Sequence, residues 1–453
     1  MGKLFGTDGI RGTANKYPMT VDIVSLVGKA ASIVLSKNLK ITPTFIVGKD
    51  TRLSGYAFEN ALSAGLLAGG SNVLLTGPIP TPGIAYLTIS LRASSGVVIS
   101  ASHNPYTDNG IKFFNSNGYK LSDELENEIE EMVLSGQVKE ASVKPEKMGK
   151  ARRITDARGR YIEFLKSTFP RDLSMYGLKI AVDCANGATY KIAPVVFSEL
   201  GADVKEFGVS PDGKNINGGC GATVPEFISR KTIEVGADIG VSFDGDGDRV
   251  ILVDENGDIY DGDYILAIST LHLMERKQLK RNLIVGTEMT NTGLEKFLNS
   301  MGISLVRTKV GDRYVAEELI RTGANLGGES SGHIIFHDFT TTGDGIITAL
   351  QVISFLIRKN ISLSKMRNIF NPFPRFMENI QVTEKVPLNK IEGYEEMLKN
   401  CQKALEEKGR IVVRYSGTEP LLRVMVECED EEKGRNIFNE LSGFLKTRIQ
   451  GVK

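Results

Sequence analysis

The 453-residue chain has no surplus of charge: 55 lysines and arginines balance 55 aspartates and glutamates. That balance excludes a general electrostatic grip on nucleic acid or an anionic membrane, and leaves a local basic cleft as the way to hold an anion. Cysteine is scarce. Cys184, Cys220, Cys401 and Cys428 form no C-x-x-C pair and no Cys/His cluster, so they read as scattered reduced thiols. No apolar stretch approaches the roughly 20 residues of a membrane span. The opening "MGKLFGTDGIRG" lacks the apolar core of a signal peptide, and the protein is expected in the cytoplasm. There is no G-x-S-x-G elbow, which argues against an α/β-hydrolase triad, and no low-complexity segment.

What is present is an ordinary globular composition, 41% hydrophobic and 24% charged, long enough for three or four domains at about 100–200 residues each. Three segments share one pattern: Thr44–Gly77, Leu178–Gly208 and Asn282–Lys309. Each opens on a β-branched run, passes a Gly- or Asn-containing loop, continues with helical periodicity and ends at a glycine before another apolar strand. This is the βαβ unit of a helix-covered sheet. Ser135–Thr155 is polar and reads as a link. Leu252–Asp261 reads as a hairpin turning at Glu255-Asn256-Gly257. "NPFPRF" at Asn371–Phe376 opens a last domain with an α+β pattern. The expected architecture is α/β: three related mixed-sheet α/β domains (1–150, 151–255, 256–370) plus a C-terminal α+β domain (371–453) around a central cleft.

The chemistry concentrates in a few stretches. In "SFDGDGDR", Asp244, Asp246 and Asp248 alternate with glycines, so three carboxylates can converge and need a cation. Compact all-oxygen ligation suits Mg²⁺. An EF-hand calcium loop fits only in part, because Arg249 stands where that loop needs glycine and strands flank the segment. The apolar run from Gly96 stops at Ser100-Ala101-Ser102-His103-Asn104-Pro105, which puts Ser102 at a strand end, where α/β proteins place reactive groups. Taken alone, Ser102 reads as a cap or turn hydroxyl. A hard cation nearby would let it carry a phosphoryl group that shares the ion with the aspartates.

"GGESSGHI" places Glu329, Ser331 and His333 on one face of an extended segment, a set suited to sugar hydroxyls. "RYSGTEPLLRVMVE" offers Arg414, Ser416, the Gly417 amide and Thr418 as a phosphate grip. Arg11, Lys49 and Arg52 lie in Gly-rich loops, as anion contacts or, for Lys49 and Arg52, plain surface charge.

Together these stretches resemble the α-D-phosphohexomutase family. Its phosphoserine, D-G-D-G-D, G-E-x-S-G-H and R-x-S-G-T loops occur in that order, here at Ser100–Pro105, Asp244–Arg249, Gly328–His333 and Arg414–Thr418. "FGTDGIRG" and "VGDRYV" resemble the family's amino-sugar branch, and Tyr415 stands where that branch commonly has proline. The resemblance implies interconversion of the 6- and 1-phosphates of a hexosamine through a sugar bisphosphate, feeding amino-sugar nucleotide synthesis. It implies Mg²⁺ on Ser102, Asp244, Asp246 and Asp248. Lys112 would be the general acid/base, Arg11 would stabilise the transferred phosphoryl group and His103 would orient the serine loop. Arg249, Glu329, Ser331, His333, Arg414, Ser416, Gly417 and Thr418 would bind substrate. The small-molecule partners are the hexosamine phosphate and its bisphosphate, with no nucleic acid and no membrane. Oligomeric state is open, a homodimer being one expectation. The rival readings are a mannose- or glucose-phosphate mutase, a metal-dependent phosphatase with a phosphoserine intermediate, and a calcium-binding protein without activity.

Overall fold

A computed structural model describes residues 4–6, 8–37, 39–141, 143–406, 408–416 and 420–450. Its contacts divide the chain into two compact units, one of Met1–Thr287 with Thr308–Arg367, the other of Glu288–Arg307 with Asn368–Lys453.

The first unit carries three sheets. The seven-stranded one runs in the order Phe5–Gly6, Gly9–Thr13, Asp108–Asn115, Ser95–Ile99, Thr44–Lys49, Asn72–Pro78, Ala151–Arg153. Thr44–Lys49 pairs in parallel with Asn72–Pro78 and Ser95–Ile99, as the first βαβ segment requires. Asp108–Asn115 then returns antiparallel, with Val98 opposite Lys112. Phe45, Val47, Val97 and Ile99 are buried under helices Val21–Ser36 and Ser54–Ala68. The polar link is more than a link, since Ala151–Arg153 is an exposed edge strand of this sheet.

In the five-stranded sheet, Lys179–Asp183 lies parallel to Asp203–Phe207 and to Ile239–Phe243. Ile239–Phe243 is antiparallel to Val250–Asp254, and Phe243 faces Val250 across the ladder. Residues 244–249 are therefore the tip of a hairpin between two buried strands, as the apolar flanks imply. The next turn is the expected hairpin, with Val253 opposite Ile259. In the third sheet Leu283–Thr287 is parallel to Leu326–Gly328, which is antiparallel to Ile334–Phe336. Residues 329–333 cap that last hairpin.

The second unit is α+β. Arg375–Gln381, Leu421–Cys428 and Gly409–Tyr415 form an antiparallel sheet with Leu421–Cys428 central. Helices Tyr394–Leu405 and Glu431–Gln450 contribute to its apolar core. Helix Thr292–Ser300 belongs to this unit as well. Its anchor is Glu427, a fully buried carboxylate on the central strand. Glu427 accepts from the Thr292 amide at 3.0 Å and pairs with Arg410 at 2.6 Å and Arg375 at 3.5 Å. Arg410 donates in turn to the Thr290 carbonyl at 2.6 Å.

Candidate active site

The strand Ser95–Ile99 ends at a loop whose second serine adopts a backbone few residues adopt. Ser102 has φ of +51°, in the left-handed region. It is buried, at 2% exposure. Its hydroxyl donates to Asp244 Oδ2 at 2.6 Å and lies 3.3 Å from His103 Nδ1. Burial, then Arg249 and Arg11, push His103 down to about 3, so the imidazole is neutral.

The hairpin tip 244–249 brings three carboxylates to this serine. Ligating oxygens of Asp244, Asp246 and Asp248 lie within 4.8 Å of one another. The interleaved glycines make that approach possible. A Cβ at Gly245 would stand 2.6 Å from the Ser102 carbonyl oxygen, and Gly247 has φ of +73° with Thr189 Cγ2 where its Cβ would be. Thr81, at the start of helix Thr81–Ser90, holds the loop from the other side. Its hydroxyl donates to Asp246 Oδ2 at 2.7 Å and its amide to the Asp246 carbonyl at 2.9 Å.

The donor set fits a hard divalent cation. It is all oxygen and buried, and Asp246 Oδ1 and Asp248 Oδ1 have no hydrogen-bond partner among the described residues. Without a cation the charges conflict. Burial, then Asp248 and Asp246, push Asp244 well above the carboxylate range, and burial, then Asp246, also raise Asp248. Asp246 goes the other way: burial is outweighed by Lys112 and the Thr81 hydroxyl.

Lys112 is 2% exposed and sits 3.2 Å from Asp246, 3.2 Å from Asp8 and 3.8 Å from Asp248. Burial favours its neutral form, but those three carboxylates outweigh burial and hold the ammonium above lysine's ordinary value. A base role needs a depressed lysine, which neighbouring cations could supply; here the carboxylates prevail. Arg11 pulls Lys112 down by less than the carboxylates hold it up. Arg11, on strand Gly9–Thr13, pairs with Asp8. Asp8 also binds Lys120, whose ammonium reaches both oxygens of Asp312, at 2.7 and 2.6 Å.

Arg249 donates its amide to Asp244 Oδ1 at 3.2 Å and bridges backbone to backbone with His333. His333 is 1% exposed, both ring nitrogens lack a hydrogen-bond partner among the described residues, and Nε2 lies 3.5 Å from Asp312 and 4.0 Å from Asp248. Glu329 accepts from the Gly311 amide at 2.9 Å and from the Ser331 hydroxyl at 3.4 Å. The first unit thus gathers Arg11, Ser102, His103, Lys112, the three aspartates and Arg249, with His333 at 4.0 Å from Asp248. Arg414 and Ser416 lie in the second unit, Arg414 in strand Gly409–Tyr415 and Ser416 just after it, its carbonyl accepting from Lys385 Nζ at 2.7 Å. Gly417 and Thr418 lie outside the described residues.

Comparison with known proteins decides the family. Residues 2–139, 159–257, 261–373 and 377–443 match domains I, II, III and the C-terminal domain of phosphoglucomutase/phosphomannomutase. A phosphoglucosamine mutase of Geobacter sp. (strain M21) is 49% identical over 451 residues, covering 100% of this chain and 99% of the relative. One of Myxococcus xanthus (strain DK1622) is 51% identical over 447 residues, 99% and 97% of the two chains. The chain belongs to the α-D-phosphohexomutase family. Solved phosphohexomutase structures share its fold. A phosphoglucomutase/phosphomannomutase family protein from Burkholderia thailandensis superposes with a TM-score of 0.82 at 22% identity, covering 99% of this chain and 98% of that one. An Aspergillus fumigatus N-acetylphosphoglucosamine mutase, solved with GlcNAc-6P and magnesium, superposes with a TM-score of 0.70 at 17% identity, covering 98% and 96%.

Sequence reasoning missed several charged groups that the structure brings beside Lys112 and the aspartates. Asp8 lies inside "FGTDGIRG" yet drew no notice beside Arg11, and Lys120 carries no motif. Asp312 lies inside "VGDRYV", which counted only towards the resemblance to the amino-sugar branch. Arg52 is no surface charge, being 0% exposed and paired with Asp50 at 2.8 Å.

Proposed function

We propose that the protein is a phosphoglucosamine mutase, interconverting glucosamine 6-phosphate and glucosamine 1-phosphate through a phosphorylated Ser102 and a bisphosphorylated sugar. The observation that carries this reading is the Ser102 hydroxyl 2.6 Å from Asp244 in a buried cage of three carboxylates. The full-length relatives support the amino-sugar substrate over glucose or mannose phosphates.

Asp244, Asp246, Asp248 and the Ser102 phosphate would hold Mg²⁺. When bound, that ion neutralises the charge on the transferring group. The chain's own residues supply the rest. Ser102 Oγ loses its bond to phosphorus as the free sugar hydroxyl oxygen gains one. The hydroxyl proton leaves to Lys112, and the reverse step returns it. A cation held by Asp246 and Asp248 would take up two of the three carboxylates that keep Lys112 charged, in the direction a base role needs. Arg11, paired with Asp8, and Arg249, beside Asp248, would supply cationic charge to the transferred phosphoryl group, and neutral His103 would steady the loop. Glu329 and Ser331, with His333 beside them, hold sugar hydroxyls. By the family's phosphate-loop motif, Arg414, Ser416, Gly417 and Thr418 would grip the phosphate that is not reacting, in either orientation of the sugar. One site then serves both half-reactions.

Turnover of glucosamine, glucose and mannose phosphates, with inorganic phosphate followed in parallel, tests this. The mutase reading expects fastest isomerisation of the amino sugar, dependence on catalytic sugar bisphosphate and almost no phosphate release. Stoichiometric phosphate release would instead make the protein a phosphatase.

A further inference from the structure

We propose that Arg52 is the positioning residue of the reacting serine, a buried clamp that holds the Ser102 loop by its backbone. Arg52 is fully buried, and all five guanidinium N–H groups are used. Nε donates to Asp50 Oδ2 at 2.8 Å. Nη1 donates to the Pro105 carbonyl and, at 3.1 Å, to the Asp108 carbonyl. Nη2 donates to the carbonyls of Ser102 and Asn104, both at 2.8 Å. Four carbonyls between residues 102 and 108 therefore converge on one planar fork. Asn217 adds a second donor to two of them, 2.9 Å from the Ser102 carbonyl and 3.2 Å from that of Asn104.

A relay fixes the other side of the same residue. The Ser100 hydroxyl donates to Asp50 Oδ2 at 2.6 Å and accepts from the Ser102 amide at 2.9 Å. The amide and the carbonyl of Ser102 are thus both held through the Arg52–Asp50 pair. That grip sustains a left-handed φ of +51°, which a serine does not hold unaided. The chemistry explains why carbonyls are the handle. During each cycle the Ser102 side chain gains and loses a phosphate dianion, while its backbone keeps the same charge. A clamp on carbonyls grips both states equally. Its own charge is cancelled locally by Asp50, so Arg52 does not compete with the metal cage for the phosphate.

The inference rests on Ser102 carrying the phosphoryl group, so phosphoserine at 102 is first quantified by mass spectrometry in the wild type. Its absence overturns that reading and the clamp's purpose with it. With phosphoserine present, Arg52→Lys keeps the buried cation but offers at most three donors. Normalised to phosphoserine content, kcat for glucosamine 6-phosphate should fall at least about tenfold while KM stays within about twofold, the signature of lost alignment rather than lost binding. Inorganic phosphate released per isomerisation should rise, because a misplaced phosphoserine meets water. If Arg52→Lys does not fold, Ser100→Ala cuts the relay instead, with about a threefold fall in kcat and the same rise in phosphate release. Wild-type kcat and phosphate ratio in whichever variant folds would overturn the clamp. So would a tenfold rise in KM at unchanged kcat, which would make Arg52 an anion contact after all.

Discussion

Cation removal from the aspartate cage should leave a pH signature. Ligating oxygens of Asp244, Asp246 and Asp248 lie within 4.8 Å of one another. At that spacing two unit charges repel by about 3 kcal/mol with an effective dielectric constant near 20. Lys112 at 3.2 Å offsets the charge of Asp246, which leaves Asp244 and Asp248 as the groups pushed upward. Folded-state values above the unfolded ones give a stability contribution that is complete below the unfolded carboxylate range and lost as pH rises through the raised values. The metal-free protein should therefore lose stability with rising pH on account of these two groups. Magnesium replaces the proton as the compensating charge, so its stabilising increment should grow with pH. At a hundredfold excess over the dissociation constant the increment is about 2.7 kcal/mol. Asp248→Asn should relieve the apo cage and shrink the increment together. The assay is thermal unfolding in magnesium and in chelator, from the ordinary carboxylate range at about pH 4 up to about pH 8, for wild type and Asp248→Asn. An increment that is the same at both ends of that range and unchanged in the variant would refute the reasoning.

Three further outcomes follow from the same structure. Burial pushes Glu126, beside Arg313 at 3.5 Å, up to about 7 from glutamate's usual 4.5. This makes about 3 kcal/mol of stability, an upper figure, present below about pH 4.5 and lost as pH rises through about 7; Glu126→Gln should lack that loss, and identical pH–melting profiles would count against it. Glu427→Gln removes the carboxylate that compensates Arg410 and Arg375 and should cost the second unit about 3–5 kcal/mol in denaturant unfolding, whereas a change under about 1 kcal/mol would contradict the network. Lys112→Met should lower kcat by at least about a hundredfold with substrate KM little changed, and a KM effect alone would assign Lys112 to binding.

The parts of the site legible in the sequence are those whose chemistry lies within a few consecutive residues. Asp244, Asp246 and Asp248 announce a hairpin tip because β-branched runs flank them, and Ser102 stands out because an apolar strand ends there. The βαβ segments show in their switch of period, and the last domain in the Pro-rich break before it. What escaped notice depends on long-range pairing. Arg52 reads as an exposed charge because its partners are carbonyls about fifty residues away, and carbonyls carry no sequence signal. Asp8, Lys120 and Asp312 acquire meaning only when three strand and helix ends meet. Ala151–Arg153 is too short and too polar to show a strand's alternation. Helix Thr292–Ser300 looks like part of its neighbouring βαβ unit, and it joins the C-terminal unit through long-range contacts, among them Thr292 on Glu427, Asn291 on Phe373 and Lys296 on Glu429.

The most direct test is isomerisation of glucosamine 6-phosphate by wild type and Ser102→Ala, each with magnesium and catalytic sugar bisphosphate, alongside transfer of labelled phosphate to the protein. The account predicts label on residue 102 of the wild type, and neither label nor isomerisation in the variant. Isomerisation that survives in Ser102→Ala would contradict it.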